Sequence, residues 1–144
     1  MLLGQYESKI GEKHQAGLPK KIREILGDKL IITKGFERCL IVVSKENWMM
    51  LLEGTEGKPF INKSSRELQR FLLGNATNVE LDQKGRFVIP EYLRLFANIE
   101  TDVVFIGVQR FVEIWDKKSW EDHQLELSSK IESIAERLSE DEKV

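Results

Sequence analysis

Apolar and polar positions along the chain fall into the same order of short elements twice. Gln5 to Lys13 alternates loosely and predicts a strand. Leu18-Pro19 suits the first turn of a helix, and Lys20 to Leu26 predicts a short helix ended by Gly27. Leu30-Ile31-Ile32-Thr33 and Cys39-Leu40-Ile41-Val42-Val43 are β-rich runs split by Gly35, which predicts a hairpin. Ser44 to Glu53 reads as a helix stopping at Gly54, with a loop over residues 54–59. Ser64 and Glu67 have the spacing of a capping box, opening a helix that ends near Gly74.

The order then repeats. Asn78 to Leu81 and Arg86 to Ile89 predict strands flanking a turn at Lys84-Gly85, followed by a short helix over Glu91 to Phe96. Val103 to Ile106 and Phe111 to Trp115 predict a second hairpin about Gly107. Asp116 is placed to cap a long final helix, with a polar, frayed end over Ser139 to Val144. In that helix Trp120, Gln124, Leu127, Ile131, Ile134 and Leu138 are spaced alternately four and three apart. Such a seam either packs on its own domain, the commoner case, or forms a coiled-coil or inter-subunit face.

Residue identities sharpen the repeat. Pro19 aligns with Pro90, Ile10 with Leu81, Lys13 with Lys84 and Arg23 with Arg94. One residue further out of step, Gly35 aligns with Gly107, Arg38 with Arg110 and Trp48 with Trp120. A repeat of about 71 residues is too long for a solenoid and suggests an internal duplication. One copy is altered: Asp82, Gly85 and Arg86 correspond to Gly11, His14 and Gln15.

Composition narrows the class. With 41% hydrophobic and 32% charged residues, the chain reads as soluble and globular. No apolar run approaches a membrane span, and Met1-Leu2-Leu3-Gly4 is too short for a secretory core, so a cytoplasmic protein without a signal peptide is expected. Cys39 is the single cysteine, which excludes an intrachain disulfide and a cysteine-based metal cluster. The net charge of −2 hides a gradient. Residues 1–45 hold nine Lys/Arg against five Asp/Glu, and residues 120–144 hold three against eight. A basic front and acidic tail suit a polyanion-binding face apart from an assembly face; ordinary surface charge is the plainer account.

The second motif offers binding chemistry. Gly85 permits a sharp turn, Asp82 can accept bonds from turn amides or from Arg86, and Lys84 and Arg86 project near one rigid tip. Arg94, a turn into the next helix, adds a third cation. Such a cluster suits phosphate oxygens, and arginine also reads guanine bidentately. The same spacing fits a loop-fixing Asp82–Arg86 ion pair and nothing more. Catalytic constellations are scarce: His14 and His123 lie far apart, and no nucleophile elbow, phosphate loop or HExxH stands out. His14 reads as a residue tolerating its turn. Neither enzyme activity, cofactor, metal nor small-molecule substrate is expected.

The ordered set Arg70-Phe71-Leu72-Leu73-Gly74-Asn75-Ala76, Asp82-Gln83-Lys84-Gly85-Arg86-Phe87-Val88-Ile89-Pro90, Gly107 and Phe111-Val112-Glu113-Ile114-Trp115-Asp116 resembles the MraZ family, bacterial transcriptional regulators related to the AbrB-type DNA-binding fold. The likeness covers nearly the whole chain. It implies an α+β fold: a duplicated, swapped-hairpin-like β-barrel module with flanking helices and pseudo-twofold related halves. The corresponding division is a first half at 1–54, a connecting loop and helix at 55–75, and a second half with the terminal helix at 76–144.

The resemblance further implies a nucleoid-associated ring homo-oligomer of about eight subunits. Such a ring binds double-stranded DNA at promoter repeats of the division and cell-wall gene cluster, often as a repressor of its own gene. Carried over, the DNA-binding residues are Lys84, Arg86 and Arg94 of the second copy and Lys13 and Arg23 of the first, with Lys9, Lys20 and Lys21 beside them; Asp82 and Gly85 brace the loop. In this family the arginine of the first copy is expected to be a principal DNA contact, and here it is Gln15. A carboxamide reads an adenine edge and carries no charge for phosphate. The other reading from these residues is a ring-forming scaffold of the same fold that has lost specific DNA binding.

Overall fold

Short β-branched runs and proline-started helices account for most of the elements. The computed structural model describes residues 1–53 and 60–142. The chain runs through β1 (Gln5–Lys9), a single 3-10 turn (Glu12–His14), β2 (Gln15–Gly17), α1 (Lys20–Leu26), β3 (Leu30–Lys34), β4 (Leu40–Ser44) and α2 (Lys45–Leu51). It continues with α3 (Lys63–Gly74), β5 (Thr77–Val79), β6 (Arg86–Val88), α4 (Glu91–Phe96), β7 (Asp102–Val108), β8 (Phe111–Asp116) and α5 (Lys117–Glu142).

The class is α+β with antiparallel sheets. Six strands lie in the order β1-β7-β8-β4-β3-β5, and β2 pairs with β6 in a separate ribbon. The two predicted hairpins, β3–β4 and β7–β8, form and meet through β4 and β8, with Val42 opposite Val112. The expected barrel does not close among the described residues. Closure needs the outer strands β1 and β5 to pair, and four strands separate them. The chain after each outer strand turns away into the ribbon instead. The strands around Lys84-Gly85 likewise do not pair with each other. β5 joins β3, while β6 joins β2.

The two sheets share one core. Strand alternation sends Leu30 and Ile32 inward from β3, Leu40 and Val42 from β4, Val103 and Phe105 from β7, and Val112 and Ile114 from β8. Ala16 and Phe87 from the ribbon, with Ile22 of α1 and Leu93 of α4, close the other side. Each such large side chain contributes about 1.5–3 kcal/mol by leaving water. Buried Thr33 donates to the Leu72 carbonyl at 2.6 Å and ties α3 to β3.

Several helix ends follow their sequence signals. Pro19 and Pro90 precede α1 and α4, and Gly27 ends α1 at φ 81°. Ser44 caps α2 through the Asn47 amide, and Asp116 Oδ2 accepts from the Ser119 amide and hydroxyl, each at 3.0 Å. The Ser64–Glu67 box does not form. The helix starts two residues earlier, so Asn62 Oδ1 accepts from the Ser65 amide at 3.1 Å and Glu67 pairs with Arg70. The predicted stop at Gly54 and the 54–59 loop lie outside the described residues.

The terminal helix departs from the expected packing. It stays helical through Glu142, past the predicted fraying at Ser139. Trp120 packs on Trp115, 5.2 Å between ring centres, and its Nε1 donates to Gln5 Oε1 at 3.1 Å. Beyond Leu127 the stripe is only partly covered: Ile134 is half-buried, while Ile131 and Leu138 are 48% and 62% exposed. Ile131 still borders a groove with Gly4, Gln5 and Ile106, and the helix continues past it.

Gly107 also differs from its predicted role. It lies inside β7, and the turn falls at Gln109-Arg110, with Gln109 at φ 64°. The glycine is required by a neighbour: a Cβ there would stand 2.3 Å from the Leu3 nitrogen and 2.7 Å from the Leu2 carbonyl carbon. The start of the chain is held at this point by Gly107 N donating to Gly4 O at 2.9 Å and by reciprocal bonds between Leu2 and Gln109. Backbone cannot swing aside as a side chain can. Gly107→Ala is therefore expected to destabilise the protein by about 1–3 kcal/mol. Urea unfolding measures this, and an unchanged midpoint would contradict it.

Candidate nucleic-acid interface

The second loop is braced by its own acid. Asp82 Oδ1 accepts from the Lys84 and Arg86 amides at 2.9 Å each, and Oδ2 accepts from Arg86 Nε at 2.8 Å. The backbone closes the same loop through Asp82 N to Arg86 O at 2.8 Å and Gly85 N to Asp82 O at 3.0 Å. Gly85, at φ 77°, takes the left-handed turn. The Arg86 amide, with the Arg86 guanidinium and the Lys84 amide adding, holds the Asp82 carboxyl below the usual aspartate range. Because Nε is engaged, the outer Nη edge of Arg86 faces away from the acid, and that edge suits bidentate contact.

The first loop keeps part of the backbone plan without the acid. Gly11 N donates to Gln15 O at 2.8 Å, as Asp82 N does to Arg86 O. Ile89 N donates to His14 O at 3.2 Å, as Leu18 N does to Gly85 O at 3.0 Å. Lys13 and His14 both take φ 59°, a left-handed conformation that costs a residue with a Cβ about 1–2 kcal/mol. His14 does more than tolerate its turn, since its Nδ1 lies 2.8 Å from Arg94 Nη1.

Arg23 and Arg94 sit differently from the other cations. Arg94 Nε donates to the Ile89 carbonyl at 2.9 Å while its Nη1 reaches His14. Arg23 crosses Gly85 so closely that a Cβ there would stand 2.5 Å from its Cδ, Nε and Cζ. Each helix arginine thus lies against the loop of the other half, half-buried. Gly85 is needed twice over, for its φ and for the room Arg23 occupies.

Pairing of β2 with β6 brings the two motifs side by side. Gln15 stands opposite Val88, Ala16 opposite Phe87, and Gly17 opposite Arg86. Ala16 and Phe87 point into the core, leaving Gln15, Gly17, Arg86 and Val88 on the outer face. A cleft of about 500 Å³ beside the ribbon is lined by Ser8, Lys9, Gly11, Glu12, Lys13, Gln15, Gly17 and Arg86. The structure therefore gathers Lys9, Lys13, Gln15 and Arg86 at one place. Lys84 is exposed at its loop tip and Lys20 and Lys21 at the start of α1; none of these three lines the cleft. Val88, at the end of β6, is 54% exposed. The alternation of Phe87, Val88 and Ile89 carries the signal for its outward position.

A twisted two-stranded ribbon has the width to enter the major groove of DNA, and its exposed face carries groups that bond to base edges and phosphates. Among the described residues no three His, Cys, Asp or Glu side chains gather as metal ligands. None of the described helices is long and apolar enough to cross a membrane. The Cys39 thiol, buried and close to Glu113, is pushed far above its usual range by burial first, which makes it a poor nucleophile.

Comparison with known proteins decides the relationship. The family model described as "MraZ protein, putative antitoxin-like" matches twice, over residues 1–71 and 72–141. The chain belongs to the MraZ family. It is 44% identical over 138 residues to the transcriptional regulator MraZ of Caldanaerobacter subterraneus subsp. tengcongensis, covering 96% of each chain. It is 43% identical to the protein of that name from Thermoanaerobacter sp. strain X514, covering 97% of this chain and 98% of the relative. The counterpart in Clostridium tetani is 37% identical over 140 residues. The MraZ family is one of transcriptional regulators and not of enzymes.

The Asp82 brace has a pH signature. Its folded pKa lies below the unfolded value, so the brace stabilises fully above the ordinary aspartate pKa and fades as pH falls through the depressed folded one. Asp82→Asn is therefore expected to be less stable than the parent at pH 7, with the gap shrinking in acid. Denaturation midpoints from pH 7 down to pH 2 test this, and a gap that widens in acid would contradict it.

Proposed function

We propose that the chain is a sequence-specific DNA-binding regulator of transcription that reads DNA with the β2–β6 ribbon. The observation that carries this reading is Arg86, held by Asp82 on the outer face of the ribbon beside Lys9 and Lys13. A preorganised guanidinium loses little entropy on contact and matches the O6/N7 edge of guanine. Lys84, Lys20 and Lys21 supply phosphate contacts around it, while Arg23 and Arg94 act chiefly by supporting the loops. The target is the promoter repeats of the division and cell-wall cluster, with repression as the outcome and the nucleoid as the place of action. The two halves, 1–54 and 76–144 with 55–75 between them, act as duplicated swapped-hairpin modules.

The two motifs contribute unequally in this reading. Arg86 brings charge, a brace and a bidentate edge, whereas Gln15 brings a neutral amide. The test is titration with duplex DNA from upstream of the protein's own gene at two salt concentrations. Binding should weaken steeply with salt, with a log–log slope of roughly 0.9 per phosphate neutralised. Arg86→Ala should cost about 1–3 kcal/mol and Gln15→Ala less, at unchanged oligomer size and melting temperature. A flat salt response would favour the scaffold reading. A larger loss for Gln15→Ala would mean that the first motif has been re-specialised.

The same reading includes a closed homo-oligomer, a ring of about eight. The partly exposed stripe of α5 supports assembly, as do Phe60 and Ile61, which are 93% and 80% exposed. A closed ring repeats one ribbon along the DNA and multiplies weak contacts. Sedimentation at micromolar concentration should give a single large species; a monomer would overturn this part.

A further inference from the structure

Val88 is the side chain on the ribbon that charge leaves unexplained. Its neighbours Phe87 and Ile89 are 2% and 0% exposed, while Val88 stands 54% exposed. Alternation puts it on the outer face with Arg86, two residues away. The register sets it directly across from Gln15, and across from Arg86 stands Gly17, which has no side chain. The face thus carries three side chains of different chemistry: a guanidinium, a carboxamide and a stiff branched hydrocarbon.

Each answers to a different feature of the major groove. Arginine matches guanine O6 and N7, and glutamine matches adenine N6 and N7. Neither reads the C5-methyl of thymine, the one apolar group on that edge, and an aliphatic side chain does. Directly opposed residues in an antiparallel pair have Cβ atoms about 4.5–5.5 Å apart. That separation keeps Val88 and Gln15 over one base pair or two adjacent ones. Valine is restricted at χ1, so its methyls keep their position on a braced ribbon.

The geometry points to Val88 as a specificity-determining residue that packs on the C5-methyl of a thymine, beside an adenine addressed by Gln15. This rests on the proposed DNA-reading role of the ribbon. It adds a base preference at a residue that contributes no charge, so it is invisible to salt dependence.

The test replaces each thymine of the bound duplex in turn with deoxyuridine, which removes the methyl and keeps the pairing. For the parent protein, one thymine in the site should be sensitive, with binding weakened about fourfold, the value of one buried methyl. Val88→Ala should bind the thymine and uracil forms of that position equally, while keeping the parent's oligomer size and salt slope. Val88→Ile, which keeps the β-branch, should retain the discrimination. Indifference of the parent to every uracil, or the same uracil penalty in Val88→Ala, would overturn the inference alone. Failure to prefer the unmodified duplex over a scrambled one of equal length would overturn the DNA-reading role and this inference with it.

Discussion

The structure depends on strands that find their ladder partners in the other half of the chain. β1 pairs with β7 and β5 with β3, while β4 and β8 join the two hairpins. Each half therefore leaves a hairpin that only the other half's leading strand completes. The short ribbon is a consequence. Once β1 and β5 have crossed over, the segments that follow them arrive antiparallel at the same place, and β2 and β6 satisfy each other's backbone groups. Residues from both halves then fill one core, so local opening of either half exposes the apolar side of the other.

That arrangement explains how the altered first motif persists. Its loop keeps two main-chain bonds of the second loop's plan because they run between backbone atoms: Gly11 to Gln15 within the loop, and Ile89 to His14 across to the other half. A bond from Gln15 to Glu12 stands where the second loop has Gly85 to Asp82, and the missing acid removes the side-chain brace. His14 in a left-handed turn is a strained choice compared with glycine, and its contact with Arg94 offsets part of that strain. The helix arginines are therefore coupled to the loops across the chain, Arg23 to Gly85 and Arg94 to His14. A change at either loop reaches a helix of the opposite half.

The proposed DNA face and the apolar surfaces available for assembly lie on different elements. Cations gather around the ribbon and the start of α1, whereas α5 carries an excess of acids and a stripe left partly exposed beyond Leu127. An acidic helix repels phosphate, so assembly contacts on it, as proposed, would not compete with nucleic acid.

Local chemistry was enough to place the two hairpins, the proline-started α1 and α4, the Asp116 cap and the Asp82–Gly85–Arg86 loop. Their determinants lie within a few residues: β-branched runs, proline φ, short polar side chains and a glycine turn. The MraZ likeness and the internal repeat were likewise legible in residue identities. Other features needed the tertiary structure, because strand partnership and side-chain burial are set by residues far along the chain. Sequence alternation does not say that β5 and β6 part company, that the sheet stays open, or that Arg23 and Arg94 lie against opposite loops. Gly107 looked like a turn residue because glycine usually is one; only the approach of Leu2 and Leu3 shows why a strand needs it there. The α5 stripe was plain in the spacing, yet how far each side chain is covered depends on what packs beside it, as with Trp120 against Trp115 and Ile131 at 48% exposure.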